Sequence, residues 1–224
     1  MFENHLFRCS SLGSLLTNGR AKNEMGETCK SLLRDIYREK KWGVKKDIQS
    51  KYIEKGLMVE DSAIAFYSTF KGGFYSKNEQ FFKNEFICGT PDIVGDKVVD
   101  IKSSWNAFTF PSKGDKVDKN YYWQLMGYMW LTGLDSATLT YVLLDTPEQL
   151  IQDEMRRLAW KMGVMDEDAS PEYVEACQEL RKQMTFNQIP IEERIVEFEI
   201  QRSESDIELI KSRVLEAREY LSKL

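Results

Sequence analysis

Histidine is almost absent from this chain: His5 is the only one in 224 residues. That excludes a multi-histidine zinc site and a histidine-metal nuclease centre, and leaves no redundancy for a Ser-His-Asp triad. His5 itself reads as an N-terminal surface residue. Cysteine is scarce and scattered: Cys9, Cys29, Cys88 and Cys177 form no C-x-x-C pair. Neither a zinc site nor a disulfide framework follows, and free thiols in a cytoplasmic protein are the expectation. No apolar run approaches the length of a membrane span, and the start Met-Phe-Glu-Asn-His lacks a signal-peptide pattern. No membrane association is expected. Internal repeats and low-complexity stretches do not stand out. Any hydrolytic chemistry must therefore run on carboxylates, lysine and a metal.

What is present is a soluble globular composition, 42% hydrophobic and 30% charged. The length suits one domain with a real core, or one domain with a helical elaboration. The net charge of −5 argues against nonspecific nucleic-acid binding over the whole surface. It leaves room for a local basic track, and for carboxylates that a bound cation neutralises.

The informative stretch runs from Phe86 to Trp105. It reads as two short apolar strands joined by a tight turn at Gly95-Asp96. Asp92, Asp100 and Lys102 interrupt them. Asp100 and Lys102 share a face of the strand, with Val99 and Ile101 on the other. Such charges in strands built for burial are costly unless paired or metal-bound. A hard, oxygen-seeking cation such as Mg²⁺ would resolve that cost. A two-residue loop would pair Asp92 with Val99, away from Asp100. A three-residue loop through Lys97, or a bulge, would set Asp92 across from Asp100. The irregular form is expected if both aspartates serve one metal, and Pro91 suits a strand start or bend. The alternative is a plain hairpin with a surface Asp100–Lys102 salt bridge.

Around this stretch, Ser10 or Ser11 is positioned to cap a short helix, and 27–40 reads as helix. In 52–70, Ile53, Leu57, Ile64 and Tyr67 follow helical spacing, with Glu60 on the same stripe. Asp61 should face away. Gly72-Gly73 marks a turn, and 79–88 a lead-in strand with Glu85 as an edge charge. Residues 104–120 interleave Trp105, Phe108 and Phe110 with Lys113, Lys116 and Lys119. They suit either base stacking and phosphate tracking or a packed, solubilised loop. Residues 121–133 form an apolar helix on which Gln124 and Tyr128, four apart, share a face. A buried strand is expected over 137–144, and a helix opened by Pro147. Helices over 148–186 break around 163–171, with Arg156, Arg157 and Lys161 either lining a substrate or, the favoured reading, paired to acidic neighbours. An edge strand over 193–200 and a last helix capped by Ser203 or Ser205 complete the chain. Ile207, Ile210, Val214, Ala217 and Leu221 form the core stripe of that helix.

Pro91-Asp92, then Asp100-Ile101-Lys102, resembles the core of the PD-(D/E)XK nuclease superfamily. The helical Glu60 and the downstream Gln124-x-x-x-Tyr128 resemble its RecB-like and lambda-exonuclease-like (YqaJ-like) branch. The resemblance implies an α/β fold with a mixed central sheet flanked by helices, a restriction-endonuclease-like core with extra C-terminal helices. One domain over 1–224 is expected, with its core at about 50–145, N-terminal helices in 1–49 and an elaboration in 146–224. Asp92, Asp100, Glu60 and the Ile101 carbonyl would hold Mg²⁺, with Mn²⁺ as substitute. Lys102 would position a water or offset charge on the phosphate; as a base it would need a depressed pKa. Gln124 and Tyr128 would hold DNA or support the metal shell. By the same resemblance Arg8, Ser10 and Ser11 would be the counterparts of residues that hold a substrate phosphate; the alternative is a plain helix cap and a surface arginine. The implied activity is a DNA exonuclease of phage-type recombination, acting on linear duplex, closing into a homo-oligomeric ring and working with a single-strand annealing protein. A structure-specific or nicking endonuclease is the runner-up, and a degenerate DNA- or protein-binding module the non-enzyme alternative. No iron–sulfur cluster is expected, since the cysteines lack a C-terminal cluster.

Overall fold

A computed structural model of the chain describes residues 2–21, 24–47, 50–164 and 170–224. The short strand β1 (Phe7–Arg8) leads through a 3-10 turn at Cys9–Ser11 into the one-turn helix α1 (Leu12–Leu15). Helices α2 (Glu27–Trp42) and α3 (Lys51–Lys71) follow. Gly72 ends α3 at φ 65°, a left-handed position where a side chain would be strained. Four strands come next: β2 (Phe82–Lys83), β3 (Ile87–Gly89), β4 (Ile93–Val94) and β5 (Val98–Ser103). The chain continues through α4 (Lys119–Thr132), β6 (Ser136–Val142), α5 (Glu148–Met162) and α6 (Pro171–Lys182). It closes with β7 (Ile195–Gln201) and α7 (Glu204–Ser222). This is an α/β fold.

The strands form two mixed sheets rather than one. The larger has the order β4-β5-β6-β7, parallel between β5 and β6 and antiparallel on either side. A parallel pair needs a crossover, and α4 supplies it. The smaller sheet, β1-β3-β2, pairs the N-terminus with the lead-in segment. The lead-in expected as one strand is two, turned at Asn84, whose Oδ1 accepts the N–H groups of Phe86 and Ile87. Thr90-Pro91-Asp92 separates β3 from β4, and Pro91 has no N–H with which to continue a ladder.

Helices cover both faces of the larger sheet. On one, Val98, Ala137 and Leu139 are buried with Leu125 and Met129 of α4 and Ile210 of α7. On the other, Ala63, Ile64 and Tyr67 of α3 pack with Ile93, Val99 and Val142. The α3 stripe expected from the sequence is corrected here. Ile53 and Leu57 are 50% and 70% exposed, and the buried row is Lys55, Val59, Ala63 and Tyr67. A lysine on that row conceals it from a reading of apolar periodicity.

The C-terminal elements follow their sequence pattern. β7 is an edge strand, and α7 buries Ile207, Ile210, Val214, Ala217 and Leu221. Ser203 Oγ accepts the Asp206 N–H at 3.3 Å as its cap. α5 ends at Met162, capped by Gly163, and α6 begins at Pro171; of the break expected between them, 165–169 lie outside the described residues.

Candidate active site

The hairpin register builds the site. Ile93 pairs with Val99 and Val94 with Val98, so the loop is Gly95-Asp96-Lys97. The Gly95 N–H donates to the Lys97 carbonyl at 3.1 Å. This is the three-residue form, and its register carries Asp92 to the position across from Asp100. Asp92 stands just before β4, where its Oδ2 accepts the Ile101 N–H at 2.7 Å. The carboxylate thus supplies the acceptor for the Ile101 N–H just beyond the paired residues of β4 and β5.

Strand alternation does the rest. Val99 and Ile101 face α3, while Val98 joins the α4 side and Asp100 and Lys102 share its face. Asp100 is 1% exposed. Its Oδ1 accepts from Gln124 Nε2 at 3.1 Å, and the same nitrogen donates to the Tyr128 hydroxyl at 3.1 Å. Its Oδ2 lies 2.7 Å from Lys102 Nζ, an ion pair that leaves this buried oxygen without a hydrogen bond of good geometry. The Lys102 ammonium also stands over the Tyr121 ring, 5.0 Å from its centre.

The charges here oppose one another. Burial, then the negative charge of Asp100, pushes the Asp92 carboxyl up to about 7, against the pull of Lys102 and the Ile101 N–H. Burial alone would depress Lys102, but the attraction of Asp100 and Asp92 outweighs it and the net shift is upward. In this state Lys102 is an ammonium, suited to stabilising negative charge rather than accepting a proton.

Glu60 is half-exposed on α3, and its Oε2 is 2.9 Å from Lys77 Nζ. Its charge adds to the pressure on Asp92. Asp61 faces outward, its side chain 88% exposed. Among the described residues, no three His, Cys, Asp or Glu side chains converge as a ready-made metal site.

Arg8, Ser10 and Ser11 line an open groove of about 1200 Å³ that Lys40, Lys46 and Ile53 also line. Ser11 Oγ donates to the Arg8 carbonyl at 2.7 Å, and the expected serine cap of α1 is not made by its side chain. Arg218 of α7 holds this strand's approach by donating to the His5 carbonyl at 3.0 and 3.1 Å. His5 is half-buried, its ring edge-on to Phe7 at 4.8 Å, rather than free on the surface. Between β5 and α4 the aromatics divide. Trp105 is buried with Leu150, Ile151 and Met184, while Phe108 is 88% exposed, and Lys113 and Lys116 are exposed. Arg156 and Arg157 pair with Asp153 and Glu154.

Sequence reasoning missed Lys55. Fully buried, its Nζ donates to the carbonyls of Ser104 at 2.8 Å, Trp105 at 3.0 Å and Leu144 at 2.8 Å. It ties α3 to the ends of β5 and β6. Burial pushes its pKa down to about 8. Its only signal is its spacing of four from Val59 on a helix. Gly89 was missed too: a Cβ there would lie 2.6 Å from Tyr128 Cε1, so only glycine lets that ring approach β3.

A strand pair that opposes two aspartates, adds Lys102 on the same face, and receives Gln124 from the crossover helix is the architecture of a PD-(D/E)XK nuclease. The chain has that fold. Its structure is similar to that of a phage-related exonuclease from Haemophilus somnus 129PT, with a TM-score of 0.75 and 26% identity, over 98% of this chain and 95% of that one. An alkaline exonuclease from Laribacter hongkongensis is similar with a TM-score of 0.66 and 14% identity, over 99% and 90%. The complex of that enzyme with dAMP gives a TM-score of 0.61 and 13% identity over the same shares. The last two speak for the fold alone. No family model matches the chain, and no curated protein matches it. Its likeness to the phage-related exonuclease runs along nearly the whole length of both chains.

Proposed function

We propose that this chain is a divalent-cation-dependent DNA exonuclease that hydrolyses phosphodiester bonds from the ends of linear duplex. The observation that carries this is the opposition of Asp92 and Asp100 beside Lys102, in a fold shared along nearly its whole length with a phage-related exonuclease.

The donor set suits a hard cation. Asp100 Oδ2 is a buried oxygen whose partner is the Lys102 ammonium at 2.7 Å, and burial, then the negative charge of Asp100, raises the Asp92 carboxyl beside it. Asp92, Asp100, the Ile101 carbonyl and Glu60 would hold Mg²⁺, or Mn²⁺ in its place. When bound, that ion would acidify a water and polarise the scissile phosphate. Lys102 would face the charge gathering on the phosphate. Gln124 would fix the rotamer of Asp100, and Tyr128 would fix Gln124; their burial favours this supporting role over direct contact with DNA. Arg8, Ser10 and Ser11 would take a substrate phosphate in the groove, and Lys113 and Lys116 would track the backbone.

One nuclease domain over 1–224, assembly into a ring, and a single-strand annealing protein as partner belong to the same proposal. So does a cytoplasmic setting, that of the host if the chain is of phage origin. No described helix is long and apolar enough to cross a membrane.

Digestion of linear duplex beside covalently closed circular DNA, in Mg²⁺, tests the reading. Loss of linear DNA with circles spared is the expected result. Cutting of the circle would make it an endonuclease, and binding without cleavage a degenerate module.

A further inference from the structure

The segment between α3 and β2 touches the site twice. The Asn78 N–H donates to the Asp92 carbonyl at 2.7 Å, and its Nδ2 donates to the Pro91 carbonyl at 2.9 Å. The side chain is itself held in a turn: Oδ1 accepts the Gln80 N–H at 3.2 Å, and Nδ2 reaches the Gln80 carbonyl at 3.1 Å. Residue 78 is thereby fixed to the bend that aims Asp92. One residue earlier, Lys77 Nζ lies 2.9 Å from Glu60 Oε2 and 3.3 Å from Asp61 Oδ1. The ammonium is tethered, with its backbone anchored to the Asp92 bend and its charge placed on Glu60. In this arrangement Glu60 is engaged, and it does not converge with Asp92 and Asp100. A cation drawing on Glu60 has to displace an ammonium.

We propose that Lys77 is a positioning residue, a tethered counter-ion that holds Glu60 in the cation-free protein and competes with a divalent cation for that carboxylate. The inference rests on the metal-nuclease reading above. The pair is partly exposed, so its effect is that of a surface ion pair, about two- to five-fold in affinity.

Calorimetric titration of Mn²⁺ into the full chain tests this, using wild type, Lys77→Met, Glu60→Gln, the double variant and Asp100→Asn, each checked for an unchanged melting profile. Lys77→Met should bind Mn²⁺ about two- to five-fold more tightly. In the Glu60→Gln background the same change should have no further effect. Unchanged affinity in Lys77→Met overturns the inference. So does equal tightening with or without Glu60, which would reduce Lys77 to a general surface charge. Asp100→Asn separates the two levels: binding that survives it overturns the metal-nuclease reading itself, whereas its loss beside a silent Lys77→Met overturns the counter-ion alone.

Discussion

Gln124 Nε2 donates to Asp100 Oδ1 at 3.1 Å, bonding the crossover helix to the strand that carries the carboxylate. Partners that orient ligating carboxylates matter nearly as much as the ligands. Gln124→Ala should leave the protein folded, lower its stability by about 1 kcal/mol, and cut cation affinity or nuclease rate by about 10- to 100-fold. Titration calorimetry and nucleotide release would read this. A variant within twofold of wild type on both would remove Gln124 from the site.

Gly89 permits the ring of Tyr128 to sit where it does. Gly89→Ala should displace that ring and, through Gln124, disturb Asp100. The expected cost is about 1–3 kcal/mol of stability, with activity reduced further than the melting temperature alone explains. Full activity in Gly89→Ala would show that the Tyr128 position is not coupled to catalysis.

Lys55 satisfies three buried carbonyls at once. Lys55→Met keeps the apolar stem but orphans those oxygens, and should cost about 2–4 kcal/mol in urea unfolding. A loss below about 0.5 kcal/mol would mean that water takes over all three bonds.

The raised pKa of Asp92 has a signed consequence for the cation-free protein. Its folded value of about 7 lies above its ordinary 3.8, so between these the native state holds a proton that the unfolded chain has released. The stability this contributes is complete below the unfolded value and is lost as pH rises through about 7. Unfolding in EDTA should therefore show lower stability at pH 8 than at pH 5. Asp92→Asn should flatten that difference. An identical pH slope in wild type and Asp92→Asn would assign it elsewhere.

Much of the centre was legible because charges in apolar strands are conspicuous. Asp92, Asp100 and Lys102 interrupt a pattern built for burial, and the three-residue loop is the register that opposes the two aspartates. Gln124 and Tyr128 were legible as a pair four apart, though not that they bond to Asp100. Other features were hidden for physical reasons. The buried row of α3 begins with Lys55, so periodicity selected the exposed Ile53 and Leu57 instead. The smaller sheet is made of strands of two and three residues, too short for alternation to register. The Glu60–Lys77 pair joins a helix to the segment after it, and no motif names its lysine.

The central claim is that Asp92, Asp100 and Lys102 form one hydrolytic centre. Its most direct test is release of nucleotides from end-labelled linear duplex in Mg²⁺ by wild type, Asp100→Asn and Lys102→Ala, with the folding of each verified by circular dichroism. Release by wild type and background levels from both folded variants is the expected result. A folded Asp100→Asn or Lys102→Ala protein that degrades the duplex at the wild-type rate would contradict it.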